Sequence, residues 1–332
     1  MTPGEIDALF QPWVGSRGIL LAISGGPDSM ALLHLAARWA QNPSRPKLYA
    51  ATIDHGLRPG SQAETELVAE AAAQLKIPHQ TLHWQGEKPK TGIQETARQA
   101  RYDLLAAHAR DVGADVLMTA HHADDQAETI LFRLLRGSGL AGLSGIKAES
   151  RRGEIILARP LLSLRKTQLI EICKSANQTF ADDPSNRDEK YARTGLRNLL
   201  TQLEKQGLGT PDWTRLGARL ARADEALTQA ALEAEERAFN KDPDRKETLD
   251  FRQLAAEPQE IRIRVMARVL ESAGARHPIA LEKLENLCNS LQYAAKGAVS
   301  HAATLGGLRI RLTKEGRLAI SKEGTRKRGL TE

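Results

Sequence analysis

The apolar run Gly18-Ile19-Leu20-Leu21-Ala22-Ile23 passes directly into Ser24-Gly25-Gly26-Pro27-Asp28-Ser29, and then into the helical pattern Met30-Ala31-Leu32-Leu33-His34-Leu35. Strand, glycine-bearing loop and helix, in that order, is the arrangement that binds phosphate at the end of a parallel sheet. Two adjacent glycines let the backbone approach an anion closely. The N–H groups opening the helix then face that anion, with the helix dipole behind them. Ser24 and Ser29 can donate hydroxyl hydrogen bonds, and Asp28 can hold a magnesium ion or a water. A Walker loop would need a lysine here, and none occurs before Lys47; a dinucleotide fingerprint would need a third glycine. The plain alternative is a turn of small residues.

The first half of the chain continues the alternation. Strands are expected at 18–23, 47–53, 79–83, 115–119 and 155–158, and helices at 30–40, 61–76, 94–111 and 123–135. The expected fold class is α/β: a parallel, Rossmann-like sheet with helices on both faces. Ser24–Ser29, Asp54–Arg58 and Ala120–Glu128 each follow a strand, where ligands gather in such folds. Beyond residue 160 the pattern turns helical, at 165–176, 190–205 and along the Ala/Glu/Arg-rich stretch 212–239. Helices near 258–273 and 279–294 then lead to strands 307–313 and 316–321, joined as a hairpin at Glu315-Gly316. This divides the chain into a catalytic domain over 1–210, a helical linker over 211–244 and a small α+β domain over 245–332.

At 332 residues with 41% hydrophobic and 27% charged residues, the chain reads as a soluble globular protein. No apolar run reaches the length of a membrane span. The N-terminus lacks the pattern of a secretory signal, so the cytoplasm is the expected location. Cys173 and Cys288 are the only cysteines, which argues against structural zinc and iron–sulfur clusters. Residues 301–332 hold eight Lys/Arg against three Asp/Glu, a surplus of five within a net charge of +6. A basic end points to a polyanionic partner, most simply nucleic acid. Arg309, Arg311, Lys314 and Arg317 are its strand-borne part; the last seven residues read as a solvated tail.

His121-His122-Ala123-Asp124-Asp125-Gln126-Ala127-Glu128 is the densest polar cluster. It opens a helix, so Asp124 and Asp125 can cap the first turn, and both share a face with Glu128. Like charges so placed repel unless a cation, metal or ammonium, sits among them. The spacing does not match a His-Glu-x-x-His zinc site, and solvated acids at a helix start remain the bland alternative.

Ser-Gly-Gly-x-Asp-Ser resembles the pyrophosphate loop of the N-type ATP pyrophosphatases. The polar cluster, continued through Leu131 to Leu143, resembles the signature of the tRNA(Ile)-lysidine synthetase family. Asp54-His55-Gly56-Leu57-Arg58, Glu95-Thr96-Ala97-Arg98 with Arg101-Tyr102, Arg159-Pro160-Leu161-Leu162, Asp182-Asp183-Pro184-Ser185-Asn186 and Arg197-Asn198 agree in order. The match spans about residues 18–200, and the chain resembles the shorter form with one C-terminal domain. Ala120 stands where glycine is common.

The resemblance implies an ATP-dependent ligase that adenylates the 2-carbonyl oxygen of the wobble cytidine in a CAU anticodon. The lysine ε-amine then displaces AMP. It further implies that Ser24, Gly25, Gly26, Pro27, Asp28, Ser29, Asp54 and His55 bind ATP, with Asp28 on Mg²⁺. Asp124, Asp125 and Glu128 are expected to hold lysine, Asp125 or Glu128 acting as base. Arg101 and Arg197 would join Asp28, Asp125 and Glu128 as catalytic residues. Arg98, Arg187, Arg193, Arg309 and Arg311 are expected on tRNA, with 182–195 ordering when it binds. A homodimer is compatible with the family. Three alternatives stay open: a cytidine 2-thiolase, an amidating synthetase without its glutaminase, and a non-catalytic nucleotide-binding protein.

Overall fold

The computed structural model describes residues 1–54, 61–83, 93–181, 192–240, 248–276 and 279–323. Two compact units divide the chain, one comprising Met1–Arg136 and Ser144–Ala218, the other Gly137–Leu143 and Arg219–Glu332.

The first unit opens with α1 (Pro3–Phe10), whose Thr2 and Glu5 form a reciprocal capping box. Then follow β1 (Gly18–Ala22), α2 (Pro27–Trp39), β2 (Lys47–Asp54), α3 (Ser61–Gln74), β3 (His79–His83), α4 (Ile93–Asp111), β4 (Val116–Met118) and α5 (Ala123–Leu135). The short α6 (Leu140–Leu143) belongs to the second unit. The first unit resumes with β5 (Glu149–Arg152), β6 (Ile155–Ala158), α7 (Lys166–Ser175) and α8 (Ala192–Lys205), and holds the start of α9 (Thr210–Ala238).

Its six strands run in the order β3-β2-β1-β4-β6-β5, parallel throughout except for the antiparallel edge strand β5. Alternate residues feed cores on opposite faces. Ile19, Leu21, Val116 and Met118 pack with α1, α2 and α7, whereas Leu20, Ala51 and Leu117 pack with α4. Burial on both faces explains the uninterrupted apolar run that marked β1 in the sequence. Each fully buried leucine stabilises the fold by roughly 1.5–3 kcal/mol. The expected parallel sheet is therefore observed. What the pattern missed is β5: Glu149-Ser150-Arg151-Arg152 is too polar to read as a strand, and it forms because β6 offers an edge to pair with.

The second unit carries β7 (Phe239–Asn240), β8 (Thr248–Asp250), α10 (Phe251–Ala255), α11 (Gln259–Ser272), α12 (Leu281–Lys296), β9 (His301–Leu305), β10 (Leu308–Leu312) and β11 (Arg317–Lys322). Its sheet order is β7-β8-β11-β10-β9, antiparallel. The expected hairpin is present, turning at Gly316 with φ +84. Leu308, Ile310 and Leu312 face the core while Arg309 and Arg311 are exposed. In register with these arginines stand Thr304 and Ala302 on β9, and Ser321 and Ala319 on β11. The arginines thus rise from a floor of small side chains.

The unit boundary falls within α9. The base of that helix belongs to the first unit, where Trp213 is buried with Ala127, Ile130, Leu131 and Leu196. Gly217 permits the contact: a β-carbon there would lie 2.8 Å from Ile130 Cδ1.

Candidate active site

The sheet order reverses between β1 and β4, so the loops following these neighbouring strands open into one crevice. The loop after β1 is held by its own serines. Ser29, 4% exposed, accepts the Ser24 amide at 3.1 Å and donates to the Gly26 carbonyl at 2.9 Å. Gly25 has φ +85, a conformation that suits glycine, and its carbonyl accepts the Ala181 amide at 2.9 Å. Pro27 takes the first position of α2, where no N–H is needed. The amides of Asp28 and Ser29 follow in the first turn, where the helix supplies no acceptor.

Four residues after β4, His122 caps α5. Its main-chain N–H donates to Asp125 Oδ2 at 3.0 Å, and the Asp124 amide donates to its Nδ1 at 3.2 Å. The ring is 4% exposed and lies among carboxylates: Nε2 is 3.6 Å from both Asp28 Oδ2 and Asp125 Oδ2, and Nδ1 is 3.4 Å from Asp124 Oδ2. Burial opposes its charge, but Asp124, Asp28 and Asp125 together outweigh that and raise its pKa to about 10. The cap bond needs Nδ1 unprotonated, whereas an imidazolium exchanges that bond for the Asp124 carboxylate. With three carboxylates around the ring, the charged form is the stable one.

The three acidic residues of α5 play different parts. Asp124 accepts the Lys166 amide at 2.8 Å, the Thr210 hydroxyl at 3.1 Å and Arg165 at 3.5 Å. Burial works against its charge, yet the hydrogen bonds from His122, the Lys166 amide and Thr210 hold its carboxyl well below the usual range. Asp124 thereby ties α5 to the starts of α7 and α9. Glu128, 9% exposed, accepts a 2.6 Å bond from Arg197 Nε on α8. Asp125 keeps a quarter of its side chain accessible.

Asp28 Oδ1 is buried with no hydrogen-bond partner among the described residues. A buried carboxylate oxygen left unbonded in this way fits a cation. One carboxylate suffices for Mg²⁺, which completes its shell with phosphate and water oxygens. Among the described residues no group of three or more His, Cys, Asp and Glu could hold a metal by itself.

Of the other sequence candidates, Asp54 ends β2 with Oδ2 3.5 Å from His83 Nδ1. Arg101 on α4 has a buried Nε that makes no hydrogen bond among the described residues. Arg309 and Arg311 lie on the second unit's sheet. His55, Arg187 and the side chains of Arg98 and Arg193 lie outside the described residues, as does most of 182–195. Sequence reasoning missed Lys166, whose Nζ lies 3.9 Å from Asp28 Oδ2, and it missed the anchoring roles of Arg165 and Thr210. The available signal was the basic pair Arg165-Lys166, which begins three residues beyond Arg159-Pro160-Leu161-Leu162. Cys173 and Cys288 are both buried, and burial pushes their thiols up to about 11 and about 12. Neither has the accessible thiolate that sulfur chemistry requires.

The family model for the PP-loop domain matches residues 3–204. A tRNA(Ile)-lysidine synthase of Bradyrhizobium sp. strain BTAi1 is 42% identical, covering 99% of this chain and 96% of that protein. The enzyme of the same name from Rhodopseudomonas palustris is 44% identical over 95% of this chain and 93% of its own. Among solved structures, the U34-tRNA thiolase NcsA of Methanococcus maripaludis superposes with a TM-score of 0.57. It shares 15% identity and covers 66% of this chain and 77% of its own, a likeness of fold. No helix of the described residues is long and apolar enough to cross a membrane.

Proposed function

As the chain belongs to the tRNA(Ile)-lysidine synthase family, we propose that the β1–β4 crevice is where ATP, lysine and the tRNA base meet. The activity is ATP-dependent ligation of lysine to the 2-carbon of the wobble cytidine in the CAU anticodon of tRNA(Ile). It proceeds through an adenylated cytidine, forms AMP and pyrophosphate, and shifts codon reading from AUG to AUA. The 2-thiolase and non-catalytic alternatives are not favoured.

The observation that carries the site assignment is the contact of His122 with both Asp28 and Asp125. It joins the anion-binding loop to the carboxylates of α5 in one place. ATP phosphates meet the first-turn amides of α2, with Ser24 and Ser29 holding the loop in shape. Asp28 would hold Mg²⁺, which supplies positive charge to the phosphates. Cytidine O2 attacks the α-phosphorus; the bond to the bridging oxygen breaks, and its electron pair leaves with pyrophosphate. Lysine then presents its amine, its ammonium form held by Asp125 and Glu128. One of the two takes the proton as the amine attacks C2 and AMP departs. Asp124, with its oxygens engaged by Lys166, Thr210 and Arg165, lends charge and position. Arg197 holds Glu128 in place. Arg98, Arg101, Arg187 and Arg193 are assigned to phosphate or tRNA backbone, Asp54 and His55 to adenosine. The second unit recognises tRNA through Arg309 and Arg311. The enzyme works in the cytoplasm, and a homodimer is the assembly to look for.

The test is incubation with ATP, radiolabelled lysine and unmodified CAU-anticodon tRNA(Ile). Label in the tRNA, with AMP and pyrophosphate in equal amount, is expected; tRNA without label would overturn the activity.

A further inference from the structure

We propose that Lys166 supplies the phosphate-binding cation that the PP loop itself lacks, holding the pyrophosphate half of ATP as it leaves. The proposal rests on the assignment of that loop to ATP. Ser24–Ser29 carries no basic residue, and no lysine precedes Lys47. Within the loop itself, main-chain amides meet the leaving pyrophosphate, beside the Mg²⁺ that Asp28 would hold. The fold brings a lysine from the far side of the sequence: Lys166 opens α7 and places Nζ 3.9 Å from Asp28 Oδ2.

Its main chain is fixed from two sides. The Lys166 amide donates to Asp124 Oδ2 at 2.8 Å, and the Ala123 amide donates to the Leu164 carbonyl at 2.8 Å, locking the starts of α5 and α7 together. On the other side α7 packs against α2, where Leu169 is fully buried and Cys173 Sγ donates to the Pro27 carbonyl at 3.3 Å. The aliphatic stem therefore starts from a rigid point, while 43% of the side chain stays accessible. Among the described residues, His122 is the other cation beside Asp28, and three carboxylates enclose it. Lys166 is the one placed to follow a ligand. As the bond from the α-phosphorus to the bridging oxygen breaks, negative charge grows on the departing pyrophosphate, and an ammonium held there lowers the barrier.

The test compares wild type, Lys166→Met and Lys166→Arg, all of which keep the amide bond to Asp124. For Lys166→Met, kcat/KM for ATP is expected to fall about 10- to 100-fold, with a matching loss of inhibition by added pyrophosphate. The lysine KM and the melting temperature should stay unchanged, and Lys166→Arg should restore most of both losses. A methionine variant within about threefold of wild type on both measures overturns the proposal. So does a loss that arginine fails to restore, since a charge was not what mattered. Wild-type enzyme that releases no AMP and pyrophosphate from ATP would remove the PP-loop assignment as well, a failure distinct from the other two.

Discussion

His122 Nε2 lies 3.6 Å from Asp28 Oδ2, joining the loop after β4 to the loop after β1. The same nitrogen lies 3.6 Å from Asp125 Oδ2, so one ring spans the proposed ATP and lysine halves of the site. The stability it confers depends on pH. Burial disfavours its charge, but the carboxylates raise its pKa from the ordinary 6.5 to about 10. A raised folded pKa means the contribution is complete below 6.5 and is lost as pH climbs through about 10. Wild-type stability relative to His122→Asn should therefore decline between these values. Urea unfolding at several pH values measures it, and a difference that does not vary with pH would contradict the ion-pair account.

Asp28 and Glu128 should separate by function. Asp28→Ala and Glu128→Ala are both expected to abolish lysine incorporation, with Glu128→Ala keeping more ATP binding. Equilibrium dialysis with labelled ATP distinguishes them. Equal loss of binding in both would show the division of roles to be wrong.

Gly25 adopts φ +85, where any β-carbon is strained. Space is not the obstacle, since the nearest neighbour of that carbon would be Glu64 O at 3.5 Å. Gly25→Ala should cost about 1–2 kcal/mol of stability and raise the KM for ATP by flattening the loop. Thermal melts and ATP kinetics test both, and a variant with normal stability and ATP affinity would show that the loop does not need this conformation.

Arg197 Nε donates at 2.6 Å to Glu128, whose side chain is 11% exposed. A lysine keeps the charge but lacks the planar fork. Arg197→Lys should therefore raise the KM for lysine substrate and leave ATP binding intact, whereas Arg197→Ala adds roughly 1–3 kcal/mol of destabilisation through the abandoned carboxylate. Steady-state kinetics beside denaturant unfolding would expose either expectation as wrong.

Arg309 and Arg311 stand exposed on small-residue neighbours. Replacing both with alanine should weaken tRNA binding and reduce the slope of log K against log salt by about 2, one per phosphate contact. Binding to ATP should not change. Filter binding across a salt series decides it; an unaltered slope would remove these residues from the tRNA surface.

Much of the catalytic unit was legible because its signals are local. The apolar run of β1 and the glycines of its loop declare strand and turn through their own backbone preferences, and the His-His-Ala-Asp-Asp cluster declares a helix start through capping. Lys166 and Thr210 carry no comparable local signal, the basic pair Arg165-Lys166 marking charge but not a partner. Each is an ordinary helix-opening residue until α7 and α9 are packed against α5. Helical spacing groups Asp124 with Asp125 and Glu128, but it cannot show that the oxygens of Asp124 are engaged elsewhere. The polar strand Glu149–Arg152 was equally silent, because edge pairing demands little of side chains.

Periodicity, glycine and charge act over a few residues, and they alone specify an α/β chain with a phosphate loop, an acidic helix start and a basic C-terminal hairpin. That the loop and the acidic helix share one crevice follows from the assembled sheet, through the reversal of strand order between β1 and β4. The tertiary structure alone set a histidine between Asp28 and Asp125 and brought a lysine to a loop without one. Those are contacts between residues far apart along the chain, fixed by which strands pair and which helices pack, and no local pattern encodes them.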